Sequence, residues 1–161
     1  MKNPIIALVC ALVTASFACA DDPATGSWDD GWAQLDGYVW EGNRYGEPRT
    51  GEAVAIYVAE PFSRTKFVKT DDPSRNPSDT FQAFKLNLVR DFQTGIYDYN
   101  TMVSVFTRAD DLSLVKTSFS SAEWCGHVYE ELLFHEDRVA ERYHSYFEDE
   151  SSANTLDRPI G

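Results

Sequence analysis

Hydrophobic and polar positions alternate with a period of two along most of this chain, which is typical of half-buried β-strands. In FQAFKLNLVRDF, Phe84, Leu86 and Leu88 share one side, whereas Lys85 and Asn87 lie on the other. The same alternation recurs in GEAVAIYVAEPF and GIYDYNTMVSVF. The pattern predicts strands near residues 32–42, 52–60, 64–69, 82–92, 96–106, 112–119, 123–134 and 138–148.

Short pieces rich in Gly, Pro, Asn and Asp separate these segments, among them EGNRYGEPRTGE, TDDPSRNPSDT, DFQTG and TRADD. These residue types adopt the backbone angles that reverse a chain. Strands in close succession with turns between them favour neighbouring antiparallel pairs. We therefore predict an all-β fold, an antiparallel meander curled into a half-barrel or an incomplete barrel.

The two ends of the chain differ from this β domain, which we place at residues 32–150. MKNPIIALVCALVTASFACA, residues 1–20, has the charge, the apolar run and the small-residue end of a signal peptide. Either the signal peptide is cleaved after Ala20, or its end is a degenerate lipobox in which Cys19 is acylated. Residues 21–31 are predicted to be an acidic tether, and residues 151–161 a polar tail without a closing strand, which is a possible truncation point.

The net charge of −12 narrows the choice of partners. Such a surface repels nucleic acid phosphates and anionic lipid headgroups, so we expect no nucleic acid partner and membrane contact only through a lipid on Cys19. The signal peptide predicts an exported protein, in the periplasm or anchored to the outer membrane. No ligand-spacing motif predicts a metal or another cofactor.

The stretch EWCGHVY contains Cys125 close to His127, and it has two interpretations. Read as a continuous strand, it places Glu123, Cys125, His127 and Tyr129 on one face, because alternate residues of a strand share a face. Cysteine is among the most frequently buried residue types. In this interpretation Cys125 is a small apolar filler of the core.

Read as a helix, Ser120-x-x-Glu123 would be a capping box, and Cys125 would lie in the first turn, where the helix dipole favours a thiolate. Trp-Cys-Gly-His-Val-Tyr-Glu-Glu-Leu then resembles the Asn-Cys-Glu-His-Phe signature of the lecithin retinol acyltransferase-like branch of the NlpC/P60 thiol hydrolases. That family takes its base from a histidine upstream of the cysteine, whereas here every histidine lies at or after position 127. The alternative function is therefore a thiol hydrolase or acyltransferase that uses Cys125 and His127.

A broader resemblance spans most of residues 36–150. DGYVWEGNRYGEPRTGEAVAIYVAEPFS, KLNLVRDFQTGIYDYNTMVSVF, FSSAEWCGHVYEELLF and HSYFEDE are similar to an uncharacterised family of exported bacterial proteins, many of them lipoproteins. Some members carry the label "septum formation inhibitor Maf", but the Ser-x-Ser-Pro-Arg-Arg start of true Maf proteins does not occur in this sequence. The resemblance implies export and carries no established activity.

Aromatic residues make up 14% of the chain, and on strands they can line a ligand groove as well as a core. Seven of them are candidates to line a groove, namely Tyr38, Trp40, Tyr45, Tyr97, Tyr99, Trp124 and Tyr146. We predict an exported, non-catalytic protein that holds an apolar or amphipathic ligand, or an envelope partner, on its curved sheet. The ligand-binding residues assigned on this basis are Tyr97, Tyr99, Trp124 and Tyr129.

Overall fold

The structure, a computed structural model, describes residues 30–150 and 154–159. It consists of β-strands joined by short turns, with one-turn 3₁₀ segments at Pro73–Arg75 and Glu148–Glu150. The strands are β1 (Gln34–Arg44), β2 (Glu47–Ser63), β3 (Val68–Lys69), β4 (Thr80–Thr94), β5 (Tyr97–Arg108), β6 (Leu114–Glu123), β7 (Gly126–Phe134), β8 (Arg138–Ser145) and β9 (Asn154–Pro159).

All strands belong to one antiparallel sheet in the order β1-β2-β4-β5-β6-β7-β8-β9, and β3 adds a short pairing to β2. Strands that follow one another along the path are neighbours, so the predicted all-β meander is confirmed. Within the described residues β1 and β9 remain as free edges, and the sheet is open. No helix of the described part is long and apolar enough to cross a membrane.

The sheet curls strongly at the end that holds the β1–β2 turn. Three strands separate β1 from β6, so a flat sheet would hold them about 19 Å apart at the usual strand spacing. Nevertheless Arg44 Nη2 of β1 lies 3.5 Å from Glu123 Oε1 of β6. This contact across the sheet is possible only because the sheet bends, as expected for a half-barrel.

The two faces of the sheet bury side chains at opposite ends. On the face that we call the front, Ala53, Ala55 and Tyr99 are buried near the β1–β2 turn. On the back face, Phe62 and Phe106 form a small core at the other end, with Ala83 and Val115. The buried side chains thus lie on different faces at the two ends of the sheet, and no second layer covers either face within the described residues.

Turn residues explain two of the hairpins. Tyr45 and Gly46, between β1 and β2, have φ angles of 56° and 77°. Positive φ at both central positions is the geometry of a type I′ turn, whose twist matches that of the flanking strands. Gly95 opens the β4–β5 turn with a φ of 65°. Glycine is favoured there because it has no Cβ to clash in the left-handed region.

Two sequence predictions need correction in the fold. The predicted strand at 64–69 is a turn followed by the two residues of β3, because Asp79 accepts hydrogen bonds from Ser63 and from the backbone of Thr65 and so holds that turn. Residues 154–159, expected within a polar tail, form β9 and pair with β8 along Arg138–Tyr143. Backbone pairing at a free sheet edge does not require apolar side chains, so hydrophobicity gave no signal for β9.

Candidate functional site

A row of side chains crosses the front face near the β1–β2 turn. The register places Trp40, Gly51, Phe92, Tyr99 and Glu123 side by side on five successive strands of the sheet. The rings of Trp40 and Phe92 stack with their centres 4.6 Å apart, and those of Phe92 and Tyr99 stack at 5.0 Å. Three aromatic rings therefore form a continuous floor.

Glycines at positions 42 and 51 leave room for this stack. A Cβ atom on Gly51 would collide with the backbone carbonyl of Asp91 and with the Phe92 side chain. A Cβ atom on Gly42 would collide with the Trp40 indole, which lies over that glycine on the same strand.

Polar groups lie at the Tyr99 end of the floor. The Tyr45 and Tyr99 hydroxyls are 3.0 Å apart, and the Arg44 guanidinium lies 5.1 Å from the centre of the Tyr99 ring. Burial lowers the pKa of Arg44, but its hydrogen bond with Tyr99 and its charge interactions with Tyr45 and Glu123 outweigh this and raise it. The separate hydrogen bond between the Tyr45 and Tyr99 hydroxyls raises the pKa of Tyr45. Near neutral pH Arg44 is therefore a cation and Tyr45 a neutral phenol.

The floor and these polar groups line a cavity that we call the aromatic groove, which encloses about 750 Å³. Phe119 and Tyr143 continue its apolar surface toward β6 and β8.

The four predicted ligand-binding residues lie in three different places. Tyr99 is part of the groove floor. Tyr97 and Trp124 pack edge to face at 5.8 Å, on the adjacent β4–β5 and β6–β7 hairpins. Tyr129 is on the back face, where its hydroxyl donates a hydrogen bond to Glu131 Oε2 at 3.0 Å. Only Tyr99 therefore lines the aromatic groove.

Both interpretations of EWCGHVY need correction. Trp124 and Cys125 form a two-residue turn between β6 and β7, so the stretch is a hairpin rather than one strand or a helix. Glu123 pairs with Gly126 and Ser121 with Val128, and therefore His127 lies on the back face. Cys125 is exposed at the turn and borders the groove on the front face, so it is not a buried filler.

The geometry does not bring His127 to Cys125. Adjacent residues of a strand point to opposite faces, and the two-residue turn changes which residues share a face with Glu123. His127 thus faces away from the groove that Cys125 borders. No group of three or more His, Cys, Asp or Glu side chains in the described part of the chain could hold a metal ion. Cys19, the predicted lipidation site, lies outside the described residues.

Sequence reasoning missed several residues of the groove. Trp40 and Tyr45 were among the candidate aromatics, but Phe92, Arg44 and Glu123 were not assigned to a site. The register that aligns them depends on the turns at Tyr45–Gly46 and Gly95. Counting outward from those turns would have placed Phe92 opposite Tyr99, since hairpin loop length sets the register.

Comparison with known proteins finds no match among family models, curated proteins or solved structures.

Proposed function

We propose that this protein is a non-catalytic binding protein of the cell envelope, which holds an apolar or amphipathic ligand in the aromatic groove. The observation that carries the proposal is the concave cavity of about 750 Å³ with stacked Trp40, Phe92 and Tyr99 rings as its floor. Small-molecule sites are typically concave and mostly apolar, with a few polar groups that orient the ligand.

The polar groups of the groove suit an amphipathic ligand. Arg44 and Glu123 lie together at one end, and the Tyr45 and Tyr99 hydroxyls lie beside them. The aromatic floor would cover the apolar part of a ligand, and this cluster would hydrogen-bond its polar part. A site with both characters favours molecules such as a lipid fragment or a glycolipid over fully polar metabolites.

The placement of the thiol also supports a binding role. A nucleophilic cysteine needs a base within hydrogen-bond reach, and the histidine nearest to Cys125 in sequence lies on the other face of the sheet. The assignment to the envelope rests on the signal peptide pattern of residues 1–20. Mass spectrometry of the protein expressed in a Gram-negative bacterium tests this assignment, because processing would remove the chain up to Ala20 or leave an acylated Cys19.

A fluorescence titration with N-phenyl-1-naphthylamine, a neutral apolar probe, tests binding in the groove. We expect saturable binding to the native protein and an affinity about tenfold lower for Trp40→Ala, since truncation of a buried aromatic contact costs a ligand roughly 1–2 kcal/mol. Circular dichroism should show that the variant keeps its strands.

Trp32→Ala provides the matched control, because Trp32 is 79% exposed and does not line the groove. It should bind the probe as tightly as the native protein does. Equal losses in Trp32→Ala and Trp40→Ala, or no saturable binding to the native protein, would contradict the proposal.

A further inference from the structure

A second cavity, which we call the basic pocket, lies on the back face between the turn after β2 and strands β6 to β8. It encloses about 440 Å³. Phe67, Leu133 and Ala140 give it apolar walls. Lys116 Nζ donates a hydrogen bond to the Phe67 carbonyl at 3.4 Å, which ties the turn to the sheet. Four cationic side chains surround the cavity, namely Lys66, Lys116, Arg138 and Arg142.

The charge of this pocket is opposite to that of the whole chain, which carries a net −12. Glu131 is the only carboxylate among its described lining residues. Beyond the lining, Asp137 forms an ion pair with Arg138 at 3.1 Å, and the register places Asp157 opposite Ala140. The lining itself has four cations and one carboxylate, in a protein where acidic residues are almost twice as frequent as basic ones.

Both carboxylate oxygens of Glu131 already have partners within the protein. Its Oε1 lies 2.9 Å from Arg142 Nη1, and its Oε2 lies 2.9 Å from Lys116 Nζ and accepts a hydrogen bond from Tyr129 at 3.0 Å. A guanidinium has five N–H donors, so Arg142 retains donors beyond this contact. Lys66 is exposed, and its charge helps to lower the pKa of the Asp79 carboxyl. The pocket thus has donors and positive charge to offer.

We infer that the basic pocket binds a small molecule that carries a phosphate or carboxylate group next to a short apolar part. The cations, chiefly Lys66 and Arg142, would bind the oxyanion, because charge-assisted hydrogen bonds to such groups are the strong ones. Leu133 and Phe67 would contact the apolar part. This site is on the opposite face from the aromatic groove and does not depend on the function proposed for it.

A free small molecule fits this pocket better than an anionic membrane. Charges are screened within about 8 Å at physiological ionic strength, so a small anion inside the pocket experiences mainly the neighbouring cations. An extended anionic surface would also meet the acidic remainder of the protein, which repels it.

Isothermal titration calorimetry with n-octyl phosphate, kept below its micelle concentration, and with inorganic phosphate tests the inference. The native protein should bind both saturably, with octyl phosphate the tighter because of the apolar walls. Lys66→Gln/Arg142→Gln should weaken octyl phosphate binding by about tenfold or more, since hydrogen bonds to charged groups are lost. Both side chains are exposed, so the variant should keep the strand-dominated circular dichroism spectrum.

Lys69→Gln/Arg75→Gln is the matched control, because it removes the same charge from two exposed positions outside the pocket. Its affinity should equal that of the native protein. Equal weakening in the two double variants, or no saturable binding at millimolar octyl phosphate, would overturn the inference. Binding to phosphatidylglycerol vesicles without binding to monomeric octyl phosphate would overturn it as well, in favour of a membrane surface.

Discussion

At the residue scale, two glycines leave room for the floor of the aromatic groove. A Cβ atom on Gly51 would meet the backbone of Asp91 and the Phe92 side chain, and a Cβ atom on Gly42 would meet the Trp40 indole. The stacked contacts of Trp40 with Phe92 and of Phe92 with Tyr99 lie beside these two positions. We therefore expect a larger residue at position 42 or 51 to disturb the stack.

Cys125 carries a residue-scale prediction. Residues 21–161 contain no other cysteine, and this thiol is exposed at a turn. We expect Cys125→Ser to change the free energy of unfolding in urea by less than about 0.5 kcal/mol, as is usual for surface substitutions. Iodoacetamide should label the folded and unfolded chains at similar rates, with or without His127→Ala. Faster labelling of the folded chain that His127→Ala abolishes would instead favour the thiol enzyme.

Which residues face each other could be predicted only in part. Alternation correctly placed Phe84, Leu86 and Leu88 on one side, and the register pairs Leu86 with Val105 and Leu88 with Val103. Alternation failed at Cys125, because a two-residue turn there reverses the chain within an apparently continuous strand pattern. Trp and Cys are not typical turn residues, so composition gave no indication of that turn.

At the scale of elements, one carboxylate ties three strands together on the back face. Glu131 of β7 is 6% exposed and contacts Lys116 of β6 and Arg142 of β8. Burial raises the pKa of Glu131, but the hydrogen bonds from Lys116, Tyr129 and Arg142 outweigh this and lower it below the ordinary value. Burial of the phenol and its hydrogen bond to Glu131 raise the pKa of Tyr129 to about 12.

These contacts predict how stability depends on pH. A carboxylate whose pKa is lower in the folded chain stabilises the fold above its unfolded pKa, and this stabilisation is lost as the pH falls through the folded value. We expect Glu131→Gln to cost about 1–3 kcal/mol at pH 7, and the difference from the native protein should shrink below about pH 4.5. Urea unfolding monitored by circular dichroism from pH 7 to pH 3 measures it. A difference that stays constant over this range would contradict the assignment.

The strands were more predictable than the side-chain clusters built on them. Seven of the eight predicted strand segments and their meander order agree with the structure, whereas 64–69 contains only the two residues of β3, which lies off the main path. The ion pairs of Glu131 could not be predicted from alternation, because its partners Lys116 and Arg142 are polar residues whose pairing depends on the register of three strands. β9 was missed for a different reason, since pairing at a sheet edge depends on backbone hydrogen bonds rather than on side-chain pattern.

At the scale of the whole molecule, a single open sheet presents two concave surfaces of different chemistry. The front face has an aromatic groove at one end, and the back face has a basic pocket near the other. A closed barrel would have one interior, whereas an opened and twisted sheet can form a site on each face. The proposed ligand binding depends on the front-face groove.

An NMR titration of the ¹⁵N-labelled protein with n-octyl-β-glucoside, a nonionic amphiphile kept below its micelle concentration, tests this claim most directly. We predict saturable chemical shift changes for the Trp40 indole N–H and for the backbone amides of Phe92, Tyr99 and Ser121. The backbone amide signals of Tyr129 and His144, whose side chains lie on the back face, should change little. Shifts confined to the back face, or shifts spread over the surface that do not saturate, would contradict a ligand site in the aromatic groove.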